Sequence, residues 1–181
     1  EKRTLQLMGE AKELLRQLSG ERIHHEFDLI FNESMLFNIL RRLNELSLLQ
    51  QIHPQLKWTT EFELSFTQAL DYAQKTNWKL PATIGNTPIR HVLLYLVWLV
   101  QLDDAAGCVV GQRLRLARPI LETLEKMTAA INLMGDWIDL PPSQITRNLE
   151  KIPIYGVFGL SCVTRNETLK NKLAEYATNW R

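Results

Sequence analysis

Glycine and proline are scarce, at 8 and 7 of 181 residues. This excludes collagen-like repeats and long flexible linkers and leaves long regular elements. Only two cysteines occur, Cys108 and Cys162, too few for a disulfide framework or a cysteine-rich zinc site. A reducing, cytoplasmic setting is the simpler expectation. Neither charge sign is in excess: Lys+Arg 21 against Asp+Glu 20 gives a formal net charge of +1. That excludes the strongly basic balance which by itself announces a nucleic-acid binder, so any such partner must be read from local patches. The longest apolar run, 92–100, is about half of the roughly 20 residues a membrane-spanning helix needs. His91 and Gln101 frame it. It reads as a buried helix, and no membrane partner is expected. Strand-like alternation is nearly absent, no targeting segment is visible, and the chain opens on Glu1, so it is expected to start inside a longer protein.

What is present is a globular balance, 45% hydrophobic and 23% charged, with helical periodicity throughout. Leu7, Ala11, Leu14, Leu15 and Leu18 recur at three- and four-residue steps, an amphipathic helix that exposes Lys12, Glu13 and Arg16. Ser19 is placed to cap a following helix with Glu21 in its first turn and Ile23, Phe27 and Ile30 on its apolar stripe. Ser34 is expected to cap a third helix that stops before His53-Pro54, because the residue before proline avoids the helical region. Thr60 and Glu63 have capping-box spacing, and Thr87-Pro88 supplies a start signal for a helix running to about Leu102. Further helices fit 109–118, 119–134, 143–150, 154–163 and 166–179. The expected fold is all-α, an irregular array of short and medium helices with no solenoid period. It is divided into residues 1–58 and 59–181, with 79–88 as a second candidate boundary.

Chemistry-bearing residues are few. His24, His25 and Asp28 could share a helix face toward a divalent cation, but His53 and His91 lie beside no aspartate to complete a set, so polar helix-surface residues are the preferred reading and no metal site is assigned. Asp103-Asp104 are neighbours that diverge by about 100° on a helix and read as a helix-end surface. Cys108 and Cys162 sit among apolar residues typical of inert thiols, and the five tryptophans are spread as core anchors. No catalytic residue is assigned. The cations are more suggestive: Arg41-Arg42, Lys57, and the run Arg113, Arg115, Arg118 could follow a phosphate backbone, although on sequence physics alone solvated helix faces are the preferred reading.

The stretch Ser19-Gly20-Glu21-Arg22-Ile23-His24-His25-Glu26-Phe27, followed by Leu43-Asn44-Glu45-Leu46-Ser47-Leu48-Leu49 and Ile52-His53-Pro54, resembles the neck-to-body segment of the bacterial (class II) tRNA nucleotidyltransferase and poly(A) polymerase family. Members show a Ser-x-Glu-Arg-Ile-x-x-Glu-Leu signature, then a helix, a Leu-Gly-Leu-Leu turn and an Ile-x-Pro ending. Phe27 replaces the usual leucine and Ser47 the usual glycine. Beyond about Asp71 the resemblance is only to a helical body and tail. It implies that Glu21, Arg22 and Glu26 brace the neck helices by ion pairs and hydrogen bonds, and that Arg41, Arg42, Lys57, Arg113, Arg115 and Arg118 face RNA.

The family's head, with its glycine-serine loop, Asp-x-Asp pair, two Mg2+ ions and ATP or CTP, has no counterpart here, nor has the Glu-Asp…Arg nucleotide-reading motif. The resemblance thus implies a region, inactive alone, that holds tRNA or other RNA 3′ ends for an upstream catalytic head. Two other readings stay open: an all-α protein–protein interaction module offering an apolar groove to a partner helix, and a metal-dependent hydrolase built on His24 and Asp28.

Overall fold

The computed structural model of the chain describes residues 12, 14–103 and 105–181, with Thr76 described by its backbone only. Ser19 opens the first full helix, α1 (Gly20–Asn32): its Oγ accepts the Arg22 amide at 3.3 Å, filling a donor that the helix leaves unpaired. Gly20, Ile23, Phe27 and Phe31 form its buried face. Most of the amphipathic helix expected before it, including Leu7 and Ala11, lies outside the described residues.

The helix expected to run from Ser34 to His53 is two helices, α2 (Leu36–Glu45) and α3 (Leu49–Ile52). Ser34 lies in the preceding turn and caps nothing; Met35 occupies the cap position without a side-chain bond. The break falls at Ser47, which takes a left-handed φ of 57°. Two backbone bonds close this cap, Ser47 N–H to Asn44 O at 2.9 Å and Leu48 N–H to Leu43 O at 2.9 Å. Serine therefore stands in a conformation that glycine enters most cheaply.

Helix α4 (Thr60–Leu70) starts where expected, but not through a capping box. Thr59 is the cap residue, its hydroxyl makes no bond, and the Glu63 carboxylate turns outward to Arg41 and Trp58 instead. Two short 3-10 turns, Asp71–Gln74 and Thr76–Trp78, lead into a further feature that the periodicity missed. The 79–88 loop contains a hairpin, β1 (Thr83–Ile84) antiparallel to β2 (Thr87–Pro88), with Thr83 opposite Pro88. Gly85, at φ 58°, supplies the turn. Two residues per strand are too few to show alternation.

Helix α5 (Ile89–Leu99) begins after Pro88 and stops three residues short of Leu102. All its residues but Arg90 are buried, because α1, α4, α6, α7 and α9 surround it. Helix α6 (Ala106–Arg113) starts earlier and ends earlier than the expected 109–118. It is followed by α7 (Arg118–Leu133), the 3-10 turn Met134–Asp139, and α8 (Pro142–Leu149). Helix α9 (Ile154–Val163) is apolar all round and buried. Helix α10 (Glu167–Glu175) is capped by the Asn166 side chain, which accepts the Leu169 amide at 3.1 Å, and runs into a π-helical turn, Tyr176–Trp180. The fold is all-α apart from the hairpin.

The core is one hydrophobic cluster that takes side chains from both sides of position 58. Its centre is aromatic. Trp98 of α5 meets Phe27 of α1 edge-on at 5.2 Å, Trp58 at 5.7 Å and Phe66 of α4 at 6.2 Å. Edge-to-face pairs each add about 0.5–1.5 kcal/mol beyond area burial. Trp58, Trp78, Trp98 and Trp137 are all buried, as core anchors should be.

Replacing Ser47 by glycine relieves the left-handed strain without touching a core contact. We expect Ser47→Gly to stabilise the chain by about 0.5–1 kcal/mol, seen as a rise of a few degrees in the melting midpoint. A lower midpoint would contradict the assigned backbone conformation.

Candidate nucleic-acid interface

Six cations and three bracing residues are at issue, and their neighbours divide them into two kinds. Arg41 of α2 forms a bidentate pair with Glu63 of α4, Nε to Oε1 at 2.6 Å and Nη2 to Oε2 at 2.8 Å. Its remaining arm donates to Asn38 at 2.8 Å. The Arg41 hydrogen bond, joined by one from the Trp58 indole, holds the Glu63 carboxyl below its usual range although partial burial pushes it upward. Arg113, the last residue of α6, donates Nη2 to Leu18 O at 2.6 Å and to Arg16 O at 3.5 Å, covering carbonyls at the end of the preceding helical turn. Both guanidinium groups tie elements together.

The other four sit at the surface in weak pairs. Arg42 reaches Glu45 at 3.0 Å and Arg118 reaches Glu122 at 2.7 Å, each within its own helix. Lys57 faces Asp103 at 3.6 Å, and Arg115 faces Glu21 at 3.5 Å. Exposed pairs of this sort contribute about 0–1 kcal/mol, so a phosphate can replace the carboxylate at little cost.

Arg115 is the most unusual of them. It stands in the left-handed region at φ 56°, two residues beyond the end of α6, with Arg115 N–H bound to Gln112 O and Leu116 N–H to Gly111 O, both at 3.0 Å. Glycine is the usual occupant of that cap position, and arginine there costs roughly 1 kcal/mol. The turn lies directly on the start of α1. A Cβ built on Gly20 would sit 1.8 Å from the Arg113 carbonyl oxygen and 3.2 Å from Arg115 Cγ, so only glycine allows this approach. Glu21, next in sequence, is held below its usual range first by the backbone amide at the helix start, then by the Ser19 hydroxyl and the two arginines. Of the residues expected to brace, Glu21 makes only this exposed pair with Arg115 among the described residues. Arg22 and Glu26 are exposed, and neither forms an ion pair among the described residues.

A second seam holds α1 along its length, on residues whose partners the sequence did not disclose. His91 and Tyr95 of α5 lie one turn apart and converge on Asp28 of α1. His91 Nδ1 is 3.2 Å from Asp28 Oδ1, and the Tyr95 hydroxyl donates to the same oxygen at 3.0 Å. His24 approaches the other oxygen at 3.6 Å. Asn32 donates its amide to Asp28 O at 3.0 Å, which turns its carbonyl toward His91 Nε2 at 3.1 Å. Arg90 donates Nε and Nη2 to Phe31 O at 3.1 and 2.9 Å, closing the end of α1. Burial would raise the Asp28 carboxyl, but the His91 hydrogen bond, the charges of His24 and His91, and the Tyr95 hydroxyl hold it below 3.8. The same burial, with Asp28 beside it, raises the Tyr95 hydroxyl far above its normal range.

His24 and Asp28, considered as metal ligands in the sequence, thus serve an interhelical polar cluster. No group of three His, Cys, Asp or Glu among the described residues is arranged to hold a metal ion. Asp104 lies outside the described residues. Cys108 is half-buried and Cys162 buried; burial pushes both thiols up, Cys162 to about 12, so neither is an activated nucleophile at neutral pH. No helix among the described residues is long and apolar enough to cross a membrane.

Residues 1–59 match the family model described as "Probable RNA and SrmB- binding site of polymerase A". The first third of this chain is similar to the RNA-binding region of polymerase A. No curated protein and no solved structure matches the chain. The matched segment contains Ser19, Gly20, Glu21 and Asp28, the residues through which α1 is docked.

The Asp28 cluster carries a pH signature. A carboxyl with a depressed folded value contributes stability above its unfolded value near 3.8, and that stability is lost as pH falls through the folded value. Asp28→Asn should cost about 1–2 kcal/mol at neutral pH, the lower part of the range for a buried hydrogen-bond partner because the carboxylate keeps 30% exposure. It should also flatten the fall in stability below about pH 4. Urea unfolding from pH 3 to 7 checks this, and parallel curves for the two proteins would contradict it.

Proposed function

We propose that the chain is the RNA-holding helical region of a template-independent RNA nucleotidyltransferase that extends tRNA or other RNA 3′ ends by CCA, A or poly(A) addition. A catalytic head elsewhere in the same polypeptide would supply Mg2+ and ATP or CTP chemistry. The observation that carries this reading is the match of residues 1–59 to the polymerase A RNA-binding model. The disposition of the cations supports it. At the start of α1, Arg22 and Arg115 are exposed and held by nothing stronger than a surface pair, Arg118 follows at the start of α7 in a pair with Glu122, and Arg113 fixes the turn that carries Arg115.

In this reading Arg115 and Arg118, with Arg42 and Lys57, contact phosphates, and Arg41 and Arg113 position helices. The placement of an arginine at a left-handed cap fits a binding role, since the strain brings no evident packing gain. Such a surface recognises phosphates and shape, so affinity falls steeply with salt while sequence preference stays slight. Nothing reactive is required of these residues, and the region alone would be catalytically silent in a cytoplasmic enzyme.

Arg115→Gly separates binding from folding, because glycine relaxes the cap while removing the cation. Combined with Arg118→Ala, it should leave the melting midpoint unchanged or higher. It should lower tRNA affinity severalfold and reduce the slope of log K against log salt by roughly 1–2. Fluorescence anisotropy over a KCl series measures both. Unaltered affinity and slope would remove these two residues from the interface.

A further inference from the structure

A groove separate from the α1 seam lies among the first turn of α4, the α5–α6 connection, the end of α7 and the α9–α10 turn, and encloses about 890 Å³. Its floor is apolar and buried: Phe62, Val100, Leu102, Met134 and Leu169. Half-buried Ile131, Val163 and Cys108 continue the apolar surface up its walls. The rim is acidic. Glu61, Asp103 and Glu125 line it against a single cation, Arg165, which is turned toward the Glu61 carbonyl at 3.2 Å. Asp103 shares its charge with Lys57 at 3.6 Å, whereas Glu61 and Glu125 have no ion-pair partner among the described residues.

This charge pattern decides the occupant. Carboxylates on the rim repel an RNA backbone and attract ammonium and guanidinium groups, and a floor of aliphatic and aromatic carbon asks for apolar anchors. An amphipathic helix with anchors at i, i+3 or i+4, and i+7, and with Lys or Arg on its flanks, meets both demands. We propose that this groove docks a basic amphipathic helical segment of a protein partner. Every residue of the groove lies beyond position 59, so the proposal stands apart from the RNA reading of the N-terminal helices.

The probe is a fluorescein-labelled Lys/Leu amphipathic peptide of about 14 residues, long enough to form a helix once bound, with a Glu/Leu peptide of the same pattern as control. The full chain should bind the Lys/Leu peptide saturably and the control not at all. Glu61→Lys with Glu125→Lys should weaken binding about tenfold or more while the circular dichroism melt stays cooperative. In the unsubstituted chain, bound peptide should slow alkylation of Cys108, a groove-wall residue, and this readout needs no variant to fold. The proposal is overturned if the acidic peptide binds equally, if the double substitution leaves affinity unchanged, if Cys108 alkylates at the same rate with peptide present, or if tRNA protects Cys108 in its place.

Discussion

Helix α1 is held against the body by a carboxylate that should not be comfortable where it is. Asp28 is taken partly out of water, and the hydrogen bond from the Tyr95 hydroxyl, with the His91 and His24 rings 3.2 and 3.6 Å from its two oxygens, favours its charged form. The donors come from one face of α5, the helix that α1, α4, α6, α7 and α9 surround. Further along the same face the Trp98 indole donates to Lys57 O at 2.9 Å, and Arg90 closes the end of α1 through Phe31 O. A central helix that is apolar over most of its surface thus carries a line of polar groups that meet α1 at Phe31 O, Asp28, Asn32 and His24 O and the following loop at Lys57 O. Breaking the Tyr95–Asp28 or Arg90–Phe31 bonds would leave a buried group unpaired at about 1–3 kcal/mol, which holds α1 in its place on the body.

That docking determines which cations are free for a ligand. Arg113 reaches back to the carbonyls of Arg16 and Leu18, and the close approach of its own carbonyl to Gly20 leaves Arg115 at the edge beside the start of α1, with Arg118 three residues further on at the start of α7. Arg41 is spent on Glu63 in the same way. Arginines that look alike in sequence therefore have two employments, and geometry, not residue type, separates them. The net charge of +1 is compatible with a local cationic edge, because Arg115 stands beside the start of α1 whereas the groove carboxylates Glu61 and Glu125 lie on α4 and α7.

Much of the helical order was legible because it rests on local chemistry. Ser19 caps as its side chain predicts, Asn166 opens α10, and α9 spans its expected 154–163 in spite of two glycines. Misreadings came where tertiary partners compete with local signals. Glu63 has the spacing to complete a capping box with Thr60 but finds a stronger partner in Arg41, and Ser34 yields to the turn that joins α1 and α2. The break at Ser47 needs a left-handed residue that serine does not advertise, although the resemblance pointed there by placing glycine at that position. In the candidate site, His24 and Asp28 stood out one turn apart, but the residues that complete their cluster lie more than sixty positions away on α5. A signal existed: His91, Tyr95 and Trp98 interrupt an apolar run at helical spacing, and buried polar atoms must have partners.

The central claim is that α1 and the turn at the end of α6 form one docked surface that grips RNA through phosphates. Hydrogen–deuterium exchange of the chain with and without tRNA tests it most directly. The account predicts added protection confined to the segments around 16–26 and 113–122, fading as salt is raised. Protection absent from both segments, or concentrated around the acidic groove, would contradict it.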